Sequence, residues 1–233
     1  MKILALDTAT ELCSAALWLD GACRTREDAR PRGAGELILG MIGELLRESG
    51  LELGALDAIA FGRGPGAFTG VRLAAAVAQG LGFSAGLPLL PVSDLRALAQ
   101  RALWEPGAPT QVLVCQDARM RQIYWGCFSA APADAPAERV AMPAGAEQVA
   151  DPEAVRLPPT WSGGAVCAAG SGFEAYPSLA TRPDLRLGMV HGAFRPRAVE
   201  IARLAAADGL RQAVAPELAE PVYLRDEVAA PRS

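Results

Sequence analysis

The chain has a single histidine, and this scarcity excludes several kinds of active site. His191 alone cannot form a histidine pair for a catalytic metal, and no cluster of cysteine and histidine replaces it. A Ser-His-Asp hydrolase could use one histidine, but the sequence has no G-x-S-x-G motif to present the serine. We therefore predict a structural or surface role for His191, and neither a metal site nor a cofactor.

Paired cysteines are also missing. The five cysteines are odd in number, form no C-x-x-C pair, and fall mostly in apolar, strand-like stretches. This pattern is typical of buried, reduced thiols in a cytosolic protein, and it disfavours disulfides or metal ligands. No signal peptide is recognisable, because the first apolar run ends at Asp7. We therefore expect a cytoplasmic protein.

Long apolar spans and an excess of positive charge are absent as well. The uncharged stretch at residues 73–93 is interrupted by glycines and prolines, which favours a buried soluble segment over a membrane span. With 22 Lys and Arg against 26 Asp and Glu, the formal net charge is −4. The chain therefore lacks the broad basic surface of a protein that binds nucleic acid alone. If RNA is involved, another subunit should supply most of the phosphate contacts.

What the sequence does contain is a glycine-rich turn, GRGPGAFTGVR at residues 62–72. It lies between an apolar, strand-like run and an alanine-rich helix, where backbone amides at a helix N-terminus suit a phosphate or carboxylate. However, the loop lacks the Gly-Lys-Ser/Thr ending of a P-loop and the acidic residue of a dinucleotide-binding unit. We predict that the loop mainly orients the helix and has no tight anion site of its own. We also predict that an acidic residue, or a carboxylate of a partner, lies near Arg72 in the first helical turn.

The order of the apolar segments predicts two similar halves. The first half has three antiparallel strands followed by alternating helices and strands, which is the ribonuclease-H-like pattern. Its predicted strands are 2–6, 14–19, 22–27, 56–61 and 87–91, and its predicted helices are 35–49, 71–81 and 93–103. After a linker at 104–109 the opening repeats in outline, with strands at 112–115, 123–128 and 166–169 and a helix at 196–207.

Two such halves in tandem are the architecture of the actin, Hsp70 and sugar-kinase superfamily. We therefore predict an α/β fold with two tandem ribonuclease-H-like domains. The N-terminal domain, at 1–104, would carry the dimerisation surface, and the C-terminal domain, at 105–233, would be degenerate. Within the second domain, the Ala/Pro-rich segment near 130–164 is expected to be irregular.

Four stretches of the chain, in order, resemble the TsaB (YeaZ) family. They are ILALDTATE at 3–11, the glycine loop, DARMRQIYW at 117–125 and EPVYLR at 220–225. Ala67 stands where the family loop usually has serine, and the segment at 130–164 shows no such likeness. The resemblance implies the same tandem fold and a cytoplasmic protein.

The resemblance also implies a function. It predicts a non-catalytic scaffold subunit of the complex that installs N6-threonylcarbamoyladenosine on tRNA next to the anticodon. The subunit would pair with a TsaD-type transferase and help recruit a TsaE-type ATPase, with a homodimer as the alternative assembly. It would contact tRNA mainly through the complex and have no membrane partner. The related TsaD family carries an H-x-x-x-H metal pair that one histidine cannot form.

Two carboxylates end strands where kinases of this superfamily place groups near the nucleotide. Asp7 and Asp117 both lack the following glycine of a D-x-G phosphate turn. Local backbone hydrogen bonds, or pairing of Asp117 with Arg119 or Arg121, explain them without catalysis. The nucleotide-binding candidates are therefore the residues of the first strand end and the glycine loop: Asp7, Thr8, Gly64, Gly66 and Gly70. The glycines at 163–164 and 170–172 could form an adenosine-binding turn, or could serve only steric packing.

The helix after the glycine loop is apolar almost all round. Gly70, Ala74, Ala78 and Gly82 form one smooth face at i, i+4 spacing, which allows another helix to approach closely. Core burial is the simpler explanation, but in TsaB-like proteins this helix and the preceding one bind TsaD or a second copy. The interface candidates on the two helices are Leu37, Ile38, Met41, Leu45, Gly70, Leu73, Ala74, Val77, Ala78 and Leu81.

Other functions stay open at this point. A phosphotransferase of the sugar-kinase-like superfamily would need intact D-x-G turns, and an M22-type glycoprotease would need a histidine pair. A nucleotide-binding regulator would hold ADP on the glycine loop, and calorimetry with ATP and ADP separates it from a pure scaffold.

Overall fold

Two β-sheets of the same strand order form the framework of the structure, a computed structural model that describes residues 1–29, 33–133, 135–161 and 163–225. In each sheet a central strand pairs antiparallel with the strand that follows it and parallel with a later strand. The prediction of two tandem ribonuclease-H-like units is confirmed.

The first sheet has the order β3-β2-β1-β4-β5. Its strands are β1 (Lys2–Asp7), β2 (Cys13–Leu19), β3 (Ala22–Asp28), β4 (Ala58–Gly62) and β5 (Leu89–Val92). The helices of this half are α1 (Ala34–Ser49), α2 (Phe68–Ala85) and α3 (Asp94–Leu103). Left-handed glycines end the first two helices, Gly50 after α1 and Gly86 after α2, as a residue without a Cβ allows.

The second sheet has the order β11-β10-β6-β7-β8, and β9 pairs with β7 beside β8. Its strands are β6 (Gln111–Arg119), β7 (Gln122–Ala130), β8 (Ala141–Pro143), β9 (Gln148–Ala150), β10 (Val166–Ala169) and β11 (Leu187–His191). Two helices follow β10 and β11, namely α4 (Gly172–Ala175) and α5 (Ala198–Asp208).

The segment near 130–164 is more ordered than its composition predicts. The strands β8 and β9 lie within it and supply the outer strand position of the second sheet, while most of its other described residues lie outside strands. Each strand has only three residues, too few for a recognisable alternation of apolar and polar side chains. Asp134 and Ser162 lie outside the described residues.

The two halves exchange helices. Helix α5, from the second half, packs on strands of the first sheet, whereas α3, from the first half, packs on β6 and β8 of the second sheet. One core cluster therefore contains buried side chains from both sheets and both helices. A division of the chain between residues 104 and 105 separates the sheets but not the core.

Helices α1 and α2 cover the opposite face of the first sheet. Their buried side chains pack on β-strand residues such as Leu4, Leu6 and Phe61. Within the described part of the chain, no helix combines the length and apolar character that a membrane span requires.

Candidate functional site

The four sequence motifs meet at one cleft between the two halves. The cleft has a volume of about 750 Å³. Its walls come from the turn after β1, the start of α2, the end of β6, α4 and the C-terminal segment at 222–225. The polar side chains that line it are Thr10, Glu11, Gln116, Asp117, Arg119, Tyr124, Ser171, Glu174, Arg195, Tyr223 and Arg225.

The glycine loop is packed tightly against the end of β1. A Cβ on Gly70 would lie 2.0 Å from the carbonyl oxygen of Thr8, and one on Gly66 would lie 2.6 Å from that of Ala9. Thr8 Oγ1 donates a hydrogen bond to the Gly70 carbonyl at 2.7 Å, and Ala67 N–H donates to Ala9 at 2.8 Å. The loop therefore fixes the position of α2, as the sequence predicted.

This packing limits what the nucleotide-binding candidates can offer a ligand, and nucleotide binding stays a prediction. Gly66 lines the cleft. Thr8 and Gly70 are hydrogen-bonded to each other, the Gly64 N–H donates to Asp94, and neither Asp7 nor Gly64 lines the cleft. The end of β1 and the glycine loop are hydrogen-bonded to each other. Few of their polar groups are therefore free to bind a ligand.

Asp7 faces a second buried carboxyl group, Asp94, which the motif analysis did not identify. Both are fully buried. Asp7 accepts a hydrogen bond from Ala9 N–H at 2.8 Å, and Asp94 accepts one from Gly64 N–H. The remaining oxygens, Asp7 Oδ2 and Asp94 Oδ1, have no hydrogen-bond partner among the described residues. Burial raises the pKa of Asp7 to about 7 and the pKa of Asp94 well above its usual value, so the pair retains a proton near neutral pH.

Arg72 has aromatic partners where an acidic one was expected. Its guanidinium carbon lies 3.8 Å from the ring centroid of Phe68, and its Nε donates to the Tyr223 hydroxyl at 2.8 Å. Among the described residues no carboxylate pairs with Arg72, and the π face of Phe68 stabilises the cation in the first helical turn. A carboxylate from a partner subunit stays a prediction. Tyr223 belongs to the C-terminal motif, so Arg72 links that motif to the glycine loop.

Asp117 is paired within its own turn. Its Oδ1 accepts a hydrogen bond from Arg119 N–H at 2.9 Å, and its Oδ2 lies 3.1 Å from the Arg119 guanidinium. Arg225 of the C-terminal motif donates to the Ala118 carbonyl and to Gln122 Oε1, at 3.2 and 2.8 Å. The pairing of Asp117 with Arg119 is confirmed, and the C-terminal motif holds the hairpin that carries both residues.

An ion cluster crosses the cleft, and only one of its three residues lies in a sequence motif. Arg195 lies 2.6 Å from Glu11 of the first half and 2.9 Å from Glu174 of α4. Partial burial raises the pKa of Glu11, but hydrogen bonds and the charge of Arg195 outweigh it and lower the pKa below its usual value. Glu11 lies in the first motif, whereas Arg195 and Glu174 lie in no motif. Their part in the cleft is visible only from the contacts in the structure.

His191 lies outside the cleft. Its ring stacks on Phe194 with centroids 4.5 Å apart, which agrees with a structural role. The described residues contain no group of three or more side chains able to bind a metal.

A Cβ on Gly170 or Gly172 would lie 2.4 or 2.8 Å from the Cys115 carbonyl oxygen, so steric packing accounts for these glycines.

The small-residue face of α2 packs inside the subunit. Ala74 and Ala78 are fully buried, and a Cβ on Gly82 would lie 2.7 Å from Leu89. On α1, the predicted contact residues Ile38, Met41 and Leu45 are also buried in this core, while Leu37, Leu73, Val77 and Leu81 are only partly buried. The fully buried residues cannot meet a partner, so this part of the predicted interface was wrong.

The exposed faces of the same helices combine small and apolar residues with charged ones, the charged ones being Glu36, Glu44, Arg47 and Glu48 on α1 and Arg72 on α2. They present Leu39, Gly40 and Gly43 on α1, and Ala76, Gly80 and Phe83 on α2. Leu39 is 51% exposed and Phe83 is 80% exposed. Small and apolar residues at these positions, where charged residues are usual, were the signal that the sequence reasoning missed.

Comparisons with known proteins cover nearly the whole chain. A family model described as TsaD: tRNA N6-adenosine threonylcarbamoyltransferase matches residues 32–232. The chain is 40% identical over 234 residues to the tRNA threonylcarbamoyladenosine biosynthesis protein TsaB of Escherichia coli (strain K12), with 98% of this chain and 96% of the relative covered. It is 48% identical over 125 residues to the protein of the same name from Haemophilus influenzae, covering 54% of this chain and 52% of that one.

Solved structures give the same result. YeaZ from Pseudomonas aeruginosa matches with a TM-score of 0.84 and 42% identity, over 96% of this chain and 99% of that one. A second structure from that organism, described as similar to peptidase YEAZ, matches with a TM-score of 0.85 and 42% identity over the same shares. With the shared strand order and the four motifs at one cleft, these likenesses show that the chain belongs to the TsaB (YeaZ) family.

Proposed function

We propose that the chain is a non-catalytic subunit in the biosynthesis of N6-threonylcarbamoyladenosine in tRNA. In this proposal it pairs with a TsaD-type transferase and helps recruit a TsaE-type ATPase. The observation that carries the proposal is the 40% identity, over 98% of the chain, to a protein named for this pathway. The motifs support it, because their residues mainly bind the two halves together.

The carboxylates of the cleft region support a non-catalytic role. Asp7 is buried against Asp94 beneath the glycine loop, and Asp117 is paired with Arg119. A general base needs a position within hydrogen-bond reach of its substrate, and Asp7 has none because it is out of the cleft.

Reconstitution tests the proposal directly. The chain is combined with its TsaD-type and TsaE-type partners, tRNA and the threonylcarbamoyl donor, and the modified nucleoside is quantified. We expect formation to depend on the chain, and Asp117→Ala to retain activity within a few-fold, because losing a catalytic carboxylate would cost about 10²–10⁴-fold. Modification that proceeds equally well without the chain would contradict the proposed role, and a loss of that size in an intact complex would contradict the non-catalytic one.

The outer faces of α1 and α2 are the proposed pairing surface. Exposed small residues such as Gly43, Ala76 and Gly80 allow a partner helix to approach closely, and Phe83 and Leu39 supply apolar area. This proposal keeps the two helices identified from the sequence but moves the contact from their inner to their outer faces. The TsaD-type subunit is the proposed occupant, and a second copy is the alternative.

Ala76→Leu should weaken pairing and leave the subunit stable. A bulky side chain in a close helix contact costs about 1–3 kcal/mol, or roughly 5- to 150-fold in the association constant. The matched control is Ala207→Leu, at an exposed position of α5. Sedimentation with the TsaD-type subunit, and of the chain alone, measures both variants. If Ala76→Leu and Ala207→Leu had equal association constants, this face of α2 would not be part of the interface.

The cleft favours one second candidate, a nucleotide-binding regulator. Its volume of about 750 Å³ is in the range of small-molecule sites, and it includes the start of α2. A phosphotransferase has less support, because neither strand-end carboxylate is followed by a phosphate-binding glycine. Calorimetry with ADP and ATP on the isolated chain separates the regulator from a pure scaffold.

A further inference from the structure

The tip of the β6–β7 hairpin has an unusual backbone. Arg119, Met120 and Arg121 have φ angles of 60°, 54° and 63°, all in the left-handed region. Residues with a side chain adopt this conformation at a cost in free energy, and tight hairpin turns normally use Asn or Gly here. The turn nevertheless presents two arginines and a methionine to solvent, and the Met120 side chain is 79% exposed.

Further arginines and two aromatic rings lie near this tip. We define the arginine rim as Arg72, Arg119, Arg121 and Arg225 together with Phe68 and Tyr223. Arg225 donates to the Ala118 carbonyl and to Gln122 of the hairpin, and Arg72 stacks on Phe68 and bonds to Tyr223. Phe68 and Tyr223 are 49% and 43% exposed, and their centroids are 5.9 Å apart.

In the described part of the chain, the arginine rim has more guanidinium groups than carboxylates paired with them. Arg119 pairs with Asp117, but Arg72, Arg121 and Arg225 have no carboxylate partner within the ranges that the structure describes. The chain as a whole carries a net charge of −4, so this concentration of cations is local. Guanidinium groups beside exposed rings suit a ligand that has both phosphates and unstacked bases.

We propose that the arginine rim binds an unpaired segment of RNA, with phosphates on the exposed guanidinium groups of Arg72, Arg119 and Arg121 and a base against Phe68 or Tyr223. This inference rests on the proposed function in tRNA modification and adds a surface for the RNA to it. The rim is small, so the remaining phosphate contacts come from other subunits.

The test uses a fluorescently labelled RNA hairpin with an unpaired loop, titrated with the chain alone and with its complex with the TsaD-type subunit. Arg121→Glu should weaken binding about tenfold, and Arg121→Gln should lower the salt dependence by about 0.7 in the slope of log K against log salt. Phe68→Ala should weaken binding about fivefold or more through lost stacking. The matched control is Arg211→Glu, which makes the same charge change at an exposed arginine outside the rim.

The outcomes separate the rim from the proposed function. Weaker RNA binding by Arg121→Glu, with Arg211→Glu unchanged, supports the rim. Equal effects of the two variants, or none, overturn it. It is also overturned if Arg121→Glu weakens pairing with the transferase but leaves RNA binding by the chain alone unchanged, because the rim would then contact protein. If the wild-type chain fails to pair with the transferase or to support modification, the proposed function fails, and the titrations of the chain alone still decide the rim.

Discussion

Replacing Gly70 with alanine is expected to destabilise the protein by about 3 kcal/mol or more, at the upper end of the range for overpacked sites. The added Cβ would lie 2.0 Å from the Thr8 carbonyl oxygen, a backbone atom that cannot rotate away. Either α2 must shift from the end of β1, or the Thr8–Gly70 hydrogen bond must break. For a chain of this length, the melting temperature should fall by roughly 6–12 °C.

Gly80→Ala is the matched control for this substitution. Gly80 lies in the same helix, is exposed, and has no atom within 4 Å of an added Cβ. Alanine there should stabilise the protein by about 0.5–1 kcal/mol, since it reduces the conformational freedom of the unfolded chain. Urea unfolding of both variants measures the contrast. If Gly70→Ala were as stable as Gly80→Ala, the close contact between the glycine loop and β1 would be disproved.

The Asp7–Asp94 pair should make the protein less stable at pH 8 than at pH 5. Both carboxyl groups have raised pKa values in the folded state, so the folded protein binds more protons than the unfolded chain between about pH 4 and the raised values. Stability is therefore lost as the pH rises through this window. For Asp7, whose pKa is raised from 3.8 to about 7, the loss between pH 5 and pH 8 is on the order of 3 kcal/mol. The negative charge of Glu200 raises the pKa of Asp7 further, and that of Glu147 raises the pKa of Asp94.

Asp94→Asn tests the origin of this dependence. The amide keeps an acceptor for Gly64 N–H and can donate to Asp7, but it removes one buried titrating group. The variant should lose less stability between pH 5 and pH 8 than the wild type and be the more stable protein at pH 8. Glu52→Gln, at an exposed position, is the control and should leave the slope unchanged. If the free energy of unfolding of Asp94→Asn fell with pH as steeply as that of the wild type, other groups would cause the pH dependence.

The order of the elements could be predicted from the sequence because local signals fix it. Apolar runs, helical spacing and stop glycines such as Gly50 lie within a few residues of the elements that they define. The strands β8 and β9 were missed because three residues are too few to show an alternation of apolar and polar side chains. Their place in the sheet comes from pairing with β7.

The site was harder to predict, because its contacts join distant parts of the chain. Arg72 meets Tyr223 across 151 positions, and Arg195 meets Glu11 across 184. Asp94 resembles an ordinary acidic residue in a first helical turn, and only the packing shows that it faces Asp7. The small-residue face of α2 was identified correctly, but sequence spacing cannot tell whether such a face meets a strand of the same subunit or a helix of another.

The exchange of helices also has a consequence for biosynthesis. One face of the first sheet, with Ile3 and Ala60 in its core, is covered by α5, which begins only at residue 198. The edge of β5 is completed later still, by Val214 pairing with Leu89. On the ribosome, the N-terminal half is therefore made first and remains incomplete until almost the whole chain has emerged. We expect nascent chains halted before α5 to expose apolar surface and to require chaperones.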